Sequence, residues 1–522
     1  MKELKELIIG MFEMHDKEGF NFKLIILFIF QFSFSSFSSQ VKNISFSFFN
    51  QSTRTNVSHS CIQPLLESFI IKINKDSCSR KSTLGRKWWE ESLLDIVQND
   101  VSIKADPLFN FAFGRNIMES NTILSNVRGF RISGDMTSKV SFETRFYENQ
   151  FIYPKYLNEK ALNRAEKEST VDAISFGIGR AKKFKENGLD ASLANGYISF
   201  SPIKKINFQL GHGRHFFGNG YRSLLLSDYA PDYPYLSGQY YLLKNKILYK
   251  HINAWMSNLN RIPFSSNAEA LFIPKTASFN QISFQLSTKF NFSLFEGVIY
   301  NSFDTIVGRT NPNLSFYLPI FGFGIFERKS NSSCNVIYGL NFNYSISNSV
   351  SFYNQLSLSH TNKLGFQLGI KAESLFGNNR SFMNLEYNSL PSAFYSLDTS
   401  NLFQIYSHLS HELAHPLGSG FQEIVLKGQI SHKSLFLRCN YNYAFLENSS
   451  YNEVFQSIEE IDNLSKNSFN FMFLNTSIGL YFNPKTNMEI SLGHTTRYLN
   501  SQMDNYFMIS WRTYLKNDYF DQ

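Results

Sequence analysis

From about residue 105 to the C-terminus the chain alternates between apolar and polar positions. Phe109, Phe111 and Phe113 are separated by Asn110 and Ala112; Val140, Phe142, Thr144 and Phe146 are interleaved with Ser141, Glu143, Arg145 and Tyr147. Successive side chains of a strand point to opposite faces, so each run has one apolar and one polar face. The period continues through Ile282, Phe284, Leu286, Thr288 and Phe290 against Ser283, Gln285, Ser287 and Lys289, which predicts one further strand. It returns in Leu340, Phe342, Tyr344 and Ile346 against Asn341, Asn343 and Ser345. Ser347-Asn348-Ser349 and Asn483-Pro484-Lys485-Thr486-Asn487 predict turns, after which Val350 and Phe352, and Ile490 and Leu492, resume the pattern. At the end Phe507, Ile509, Trp511, Thr513 and Leu515 alternate with Met508, Ser510, Arg512 and Tyr514, and the run is expected to close near Tyr519-Phe520. Hairpins with short turns on one side and longer polar loops on the other predict an up-and-down antiparallel barrel.

The first hundred residues read differently. Lys23 precedes the apolar run Leu24 to Phe34, followed by Ser35, Ser36, Ser38 and Ser39. A basic flank, a short apolar core and a small-residue exit describe a secretory signal over 1–39, with Met11 or Met14 as alternative starts. Residues 40–81 are Ser/Asn-rich and weakly patterned, which predicts a poorly ordered mature N-terminus. Trp89, Leu93, Ile96 and Val97 fall at helical spacing with Glu90, Glu91 and Asp95 between them, so 82–104 is expected to be a short amphipathic helical segment in the periplasm. The barrel then occupies 105–522.

Composition narrows the setting. Phe numbers 54 and Tyr 27, so aromatics make up 16% of the chain, yet they alternate with Ser and Asn. Lipid on one face and a wet lumen on the other explain both facts, and an exported β-chain in lipid must close into a barrel. A soluble sandwich or propeller would show a repeat of 20 to 50 residues, and none is visible. The formal net charge is +8, but Lys and Arg are scattered, which argues against a nucleic-acid surface. Cys61, Cys78, Cys334 and Cys439 show no metal spacing. Cys61 and Cys78 are either a disulfide or two buried thiols. No cofactor and no metal are expected.

The densest stretch is Gly211-His212-Gly213-Arg214-His215-Phe216-Phe217-Gly218-Asn219-Gly220-Tyr221-Arg222, continuing to Asp228 and a Pro/Tyr-rich exit. Its glycines match neither a P-loop nor a dinucleotide fingerprint, because no Lys-Ser/Thr follows and no helix opens. They fit a strand end, Phe208 to Gly213, running into a bulged bend that carries Arg222 and Asp228 into or over the lumen.

Several segments together resemble the Wzi-type capsule-assembly outer-membrane proteins, and within them the gliding-motility relatives called RemB. They are Ala105-Asp106-Pro107-Leu108-Phe109-Asn110-Phe111, Glu148-Asn149-Gln150, Phe217 to Asp228, Leu294-Phe295-Glu296-Gly297-Val298-Ile299 and Leu413-Ala414-His415-Pro416-Leu417-Gly418. The resemblance implies an all-β transmembrane barrel of about eighteen strands in the outer membrane of a Gram-negative type bacterium, and a non-catalytic role in binding or organising surface polysaccharide. The apolar strand faces make outer-membrane lipid an expected partner, and the final amphipathic strand with its terminal aromatic, Tyr519-Phe520, resembles the signal read by the barrel assembly machinery.

Arg214, Asn219, Tyr221, Arg222, Asp228 and His415 are the candidate polysaccharide or lumen contacts, and Gly211, Gly213, Gly218 and Gly220 the structural glycines. Tyr221, Tyr229, Tyr233 and Tyr235 supply rings on which sugars stack. The plainer alternative is that Arg222 and Asp228 form a lumen ion pair holding an inward-folded loop, and that His415 fixes a turn. His408, His411 and His415 lack a carboxylate or Cys pattern to complete a metal site, and nothing sets the separation of Glu148 and Glu296 that a glycosidase pair requires. A diffusion channel, and a structural subunit with periplasmic partners around Trp88 and Trp89, are the rival functions.

Overall fold

The alternating runs pair as antiparallel neighbours, and the pairing closes on itself. In the computed structural model eighteen strands among the described residues form one barrel. They are β1 Val101–Asn116, β2 Thr122–Asp135, β3 Val140–Ile152, β4 Gly188–Ile203, β5 Ile206–Gly213, β6 Tyr233–Leu242, β7 Ile247–Arg261, β8 Phe272–Gln285 and β9 Phe290–Asn301. The second half comprises β10 Cys334–Ser345, β11 Val350–Leu358, β12 Leu364–Phe376, β13 Asn379–Leu390, β14 Phe421–His432, β15 Leu435–Leu446, β16 Phe469–Asn483, β17 Met488–Leu499 and β18 Gln502–Arg512. β18 pairs with β1 from Arg512 opposite Asn110 to Tyr506 opposite Asn116, so no edge remains. The structure describes residues 59–64, 82–98, 101–117, 121–136, 139–168, 173–185, 187–261, 272–304, 308–310, 314–330, 334–376, 379–396, 404–447, 468–483, 486, 488–499, 502–513 and 519–521. The export signal expected over 1–39 lies outside them, as does Cys78.

The period of two sorts side chains as anticipated. Phe113, Ile198, Leu210, Ile430 and Ile509 stand outward and exposed, whereas Asn341, Gln355, Gln367, Asn388 and Glu423 point inward and are buried. Among the described residues no helix is long and apolar enough to cross a membrane. Short turns such as 204–205, 286–289 and 433–434 gather at one end, and the long connections that follow β3, β5, β9 and β13 leave from the other. In outer-membrane barrels these ends face the periplasm and the exterior respectively. The helices are α1 Thr83–Trp89, α2 Lys155–Glu168, α3 Leu314–Tyr317 and α4 Phe323–Ser330.

Four expectations change. Ile282 to Phe290 is not one strand: β8 ends at Gln285, and Ser287 Oγ accepts from the backbone N–H groups of Lys289 (3.2 Å) and Phe290 (3.1 Å) to make a turn. A local serine hydroxyl satisfies the backbone there while the apolar alternation runs on uninterrupted. The helix of 82–104 is confined to α1, capped by Ser82. Leu94–Gln98 is instead a strand paired with the start of β1, Leu94 opposite Ala105, because β-branched Ile96 and Val97 favour a pleated partner over a helical stripe. The barrel therefore begins before residue 105.

Residues 59–64, expected to be poorly ordered, lie inside the barrel: Ile62 sits opposite Phe217 and Gln63 opposite Phe216. Cys61 is a buried free thiol whose Sγ lies 3.6 Å from Asn291 Oδ1. Lastly, the terminal aromatic pair does not close a strand. β18 stops at Arg512 with Trp511 facing outward, and Tyr519 is buried in the interior.

Candidate functional site

Past Gly213 the chain leaves the wall and enters the lumen, and residues 215–232 are buried throughout. Two backbone positions admit this path. Gly218 has φ 151°, and a Cβ there would stand 2.3 Å from Gln355 Nε2. A Cβ on Gly220 would stand 2.4 Å from Glu386 Oε2. Leu224, Leu225 and Leu226 then pack with inward-facing Phe279, Phe295 and Ile337 in the largest apolar cluster. One side of the lumen, expected to be wet, is thus a packed core, which removes apolar surface from water as any soluble core does.

A loop inside a barrel must satisfy its backbone polar groups, and the wall supplies the partners. Gln355 accepts from Leu224 N (2.9 Å) and donates to Phe217 O (3.0 Å), Gln367 donates to Arg222 O (3.0 Å), and the Tyr395 and Tyr406 hydroxyls donate to Leu224 O and Leu225 O. Glu386 accepts from Tyr221 N (2.8 Å) and Arg222 N (3.1 Å). These are the polar positions of β11, β12 and β13, plus residues 391–396 and 404–420, which also fold inward.

Arg222 is the centre of a buried charge cluster. Its Nη2 lies 3.1 Å from Glu423 Oε1 and 3.2 Å from Asp521 Oδ2, with all three side chains almost fully sequestered. Burial opposes the guanidinium charge, but the carboxylates of Asp521 and Glu423 outweigh it and hold its pKa above the ordinary value. Nε and Nη1 make no hydrogen bond among the described residues. The guanidinium lies between rings instead, 4.7 Å from the Tyr221 centroid and 5.5 Å from that of Tyr519. Glu423 also receives Nε2–H of His415 at 2.8 Å, while His415 Nδ1 accepts from Leu417 N at 3.2 Å.

The other predicted residues are structural in the same way. Arg214 clamps the loop's exit through Asp232 (2.7 Å), Asp228 O and Gly177 O. Asn219 joins Ser60 Oγ (2.9 Å) to Asn341 (2.9 Å). Asp228 does not pair with Arg222 but accepts from the Tyr519 hydroxyl. Tyr229, Tyr233 and Tyr235 are buried and offer no open ring, and Gly211 and Gly213 lie in β5. The three histidines are separately engaged: His408 Nε2 with Asp232 O, His411 Nδ1 with Leu409 O, and His415 with Glu423. Glu148 and Glu296 belong to β3 and β9 and share no partner among the described residues.

Beside the plug a cavity of about 290 Å³ remains, lined by β1–β3 and β14–β18. Of the predicted residues only Tyr221 reaches it. Its polar wall includes Asn440, Asn475, Ser477 and Thr495, its rings Tyr147, Tyr481 and Tyr506, and its charges Lys427, Arg438, Glu489, Arg512 and Asp521. Glu489 is shared by Arg438 (2.9 Å) and Arg512 (2.8 Å) at the short-turn end, and Tyr153, Phe176 and Phe520 line the opposite end. Sequence reasoning missed Glu386, Glu423, Gln355, Gln367, Asp521 and residues 59–64. The available signal was amide and carboxylate side chains on the inward phase of strands.

No protein-family model matches the chain, and no curated protein does. Among solved structures, Wzi of Escherichia coli, described as an outer-membrane carbohydrate-binding β-barrel involved in group 1 capsule assembly, aligns with a TM-score of 0.51 at 11% identity, covering 79% of this chain and 85% of Wzi. OprD of Pseudomonas aeruginosa aligns at 0.42 and 9% identity, covering 78% and 94%. OpdK of Pseudomonas aeruginosa, solved with vanillate, aligns at 0.43 and 8% identity, covering 78% and 98%. The chain has a Wzi-like barrel fold, and its closed, apolar-walled architecture is that of a Gram-negative outer-membrane protein.

Proposed function

We propose that the protein binds exported surface polysaccharide without catalysis, in the lumen cavity beside the plug, and so helps to hold or organise it at the cell surface. The observation that carries this reading is the cavity's lining, in which the rings of Tyr147, Tyr481 and Tyr506 stand among amides, hydroxyls and charges. Sugars present a C–H face that stacks on rings and a hydroxyl edge that needs hydrogen-bond partners. The fold shared with Wzi, itself described as a carbohydrate-binding barrel, supports the same ligand class. The resemblance to capsule-assembly proteins favours a capsule role, with gliding motility a variant of it.

The test is a glycan array and whole-polysaccharide binding on the refolded barrel, with Asn440→Leu and Asn475→Leu beside the parent. Binding by the parent and its loss in folded cavity variants is the expected result. No binding by the parent, or undiminished binding by both variants, overturns it.

A diffusion channel is the second reading, favoured by the polar lining that extends from Glu489 and Arg512 toward Tyr153. Steady conductance of the parent in a planar bilayer would select it. A structural role in a motility or secretion assembly is favoured by Trp88, 54% exposed on α1 at the short-turn, periplasmic end, and predicts a partner crosslinked there.

A further inference from the structure

On three neighbouring strands, β7–β9, the outward face of the barrel carries polar groups where lipid contact calls for apolar ones. Ile252, Phe279, Phe295 and Ile337 of β7–β10 pack in the lumen cluster. The period of two therefore turns His251, Asn253, Ser278, Asn280 and Glu296 outward. Every one of them is buried, Glu296 completely.

The cover comes from residues 314–330, which lie along the outside of the wall. Glu296 accepts from Gly322 N (3.0 Å) and Gly324 N (2.9 Å), capping the start of α4 from the barrel. Asn253 donates to Phe316 O, and the Phe316 ring meets Trp255 at 5.6 Å and Tyr300 at 5.9 Å. Phe316 joins Val298, Tyr300, Cys334 and Val336 in a small cluster on this outer face. Gly322, at φ 91°, makes the bend into α4. A Cβ on Gly324 would stand 2.7 Å from Glu296 Oε1 and 3.0 Å from Val336 Cγ1, so the helix approaches the wall as closely as a backbone can.

The far side of this segment is apolar: Tyr317 is 55% exposed, Ile320 47%, Ile325 49% and Phe326 67%. A large exposed apolar patch marks an interaction surface. This one is continuous with the outward band of the barrel, in which Trp255 and Leu340 lie on the same strands that the segment covers. The segment rises from the long-loop end, the exterior end in outer-membrane barrels.

We infer that residues 314–330 form a strap seated in the outer leaflet, with Tyr317, Ile320, Ile325 and Phe326 in contact with lipid acyl chains. The strap shields a polar sector of wall that hydrocarbon would leave unsatisfied, and it returns an apolar surface to the bilayer in its place.

The test uses the full chain reconstituted in phosphatidylcholine vesicles, with Phe326→Trp and, separately, Tyr317→Trp. The emission each adds over the parent is challenged with acyl-chain-brominated phosphatidylcholine and with aqueous iodide. Loss of most of the added emission to the brominated lipid, with little loss to iodide, is expected at both positions. Quenching by iodide alone places the strap in water and overturns the inference. Protection from both quenchers points to a protein cover and overturns it equally. Adding Gly324→Val to Phe326→Trp should shift the added emission to the red and open it to iodide. Retained lipid quenching there would refute the close docking on Glu296. Barrel integrity is read independently from heat-modifiable gel migration, and Tyr317→Trp keeps the test decisive if Phe326→Trp fails to fold.

Discussion

Arg222 illustrates why a charge that looks like a ligand contact is also what a fold needs for itself. Removing one partner of a buried pair leaves the others uncompensated, and such losses are about 3–5 kcal/mol. Arg222→Ala should therefore lower the stability of the plug in a urea titration by that order and expose residues 214–232 to protease, while Asp228→Ala, which removes an acceptor for Tyr519, costs less. Equal stability of Arg222→Ala and the parent would contradict the cluster. Gly220 offers a second check at this scale. A methyl group there meets Glu386 Oε2 at 2.4 Å, so Gly220→Ala should cost about 1–3 kcal/mol by overpacking, measured by the same titration. The sequence announced the bend because glycines are so dense there, and Gly218 and Gly220 are the two at which the path of the chain requires one. It did not announce their partners: Gln355, Glu386 and Glu423 lie far downstream, and only pairing of the strands brings them opposite the loop.

At the scale of elements, the period of two fixed which residues face which way and located β5, the turn after β10 and the outward face of β18. It failed where a second constraint intervened, at Ser287, whose hydroxyl makes a turn inside an unbroken alternation, and over Leu94–Gln98, where strand pairing overrode a helical stripe. The inward loops carry their own prediction. Burial, with the Lys275 charge adding to it, pushes His408 down to about 3, and burial likewise holds His215 and His415 below the usual imidazole value. Around His415 the charges of Glu423, Arg222 and Asp521 complete the setting. Each histidine is neutral in the folded loop and readily protonated when released, so the unfolded form binds more protons as the pH falls below about 6.5. The stability these groups contribute is full above that value and declines toward the folded pKa, by at most about 1.4 kcal/mol per pH unit per group. Limited proteolysis between pH 7 and pH 4 should cut 214–232 and 391–420 more readily at the acid end. A flat profile would show that the histidines are solvated after all.

At the scale of the molecule, the barrel and its membrane were legible because lipid demands one apolar face and a closed sheet, and both requirements repeat in every strand, whereas the number of about eighteen strands rested on the family resemblance. The interior was not legible, since a plug is written in contacts between segments that share no local pattern. Its presence predicts that the purified parent shows little steady conductance in a planar bilayer, and that replacing 215–231 with a short Gly/Ser linker raises it; high conductance of the parent would mean that the cavity is a through passage. The plug also imposes an order of events. Asp521, which neutralises Arg222, is made after every strand of the wall, and the loop it stabilises is made before most of them. Until β18 has been laid against β1, Arg222 lacks one of its two carboxylates. The finished ion cluster is thus a mark of completeness, and a barrel released one strand short would carry an interior that is electrostatically unbalanced and open to quality-control proteases.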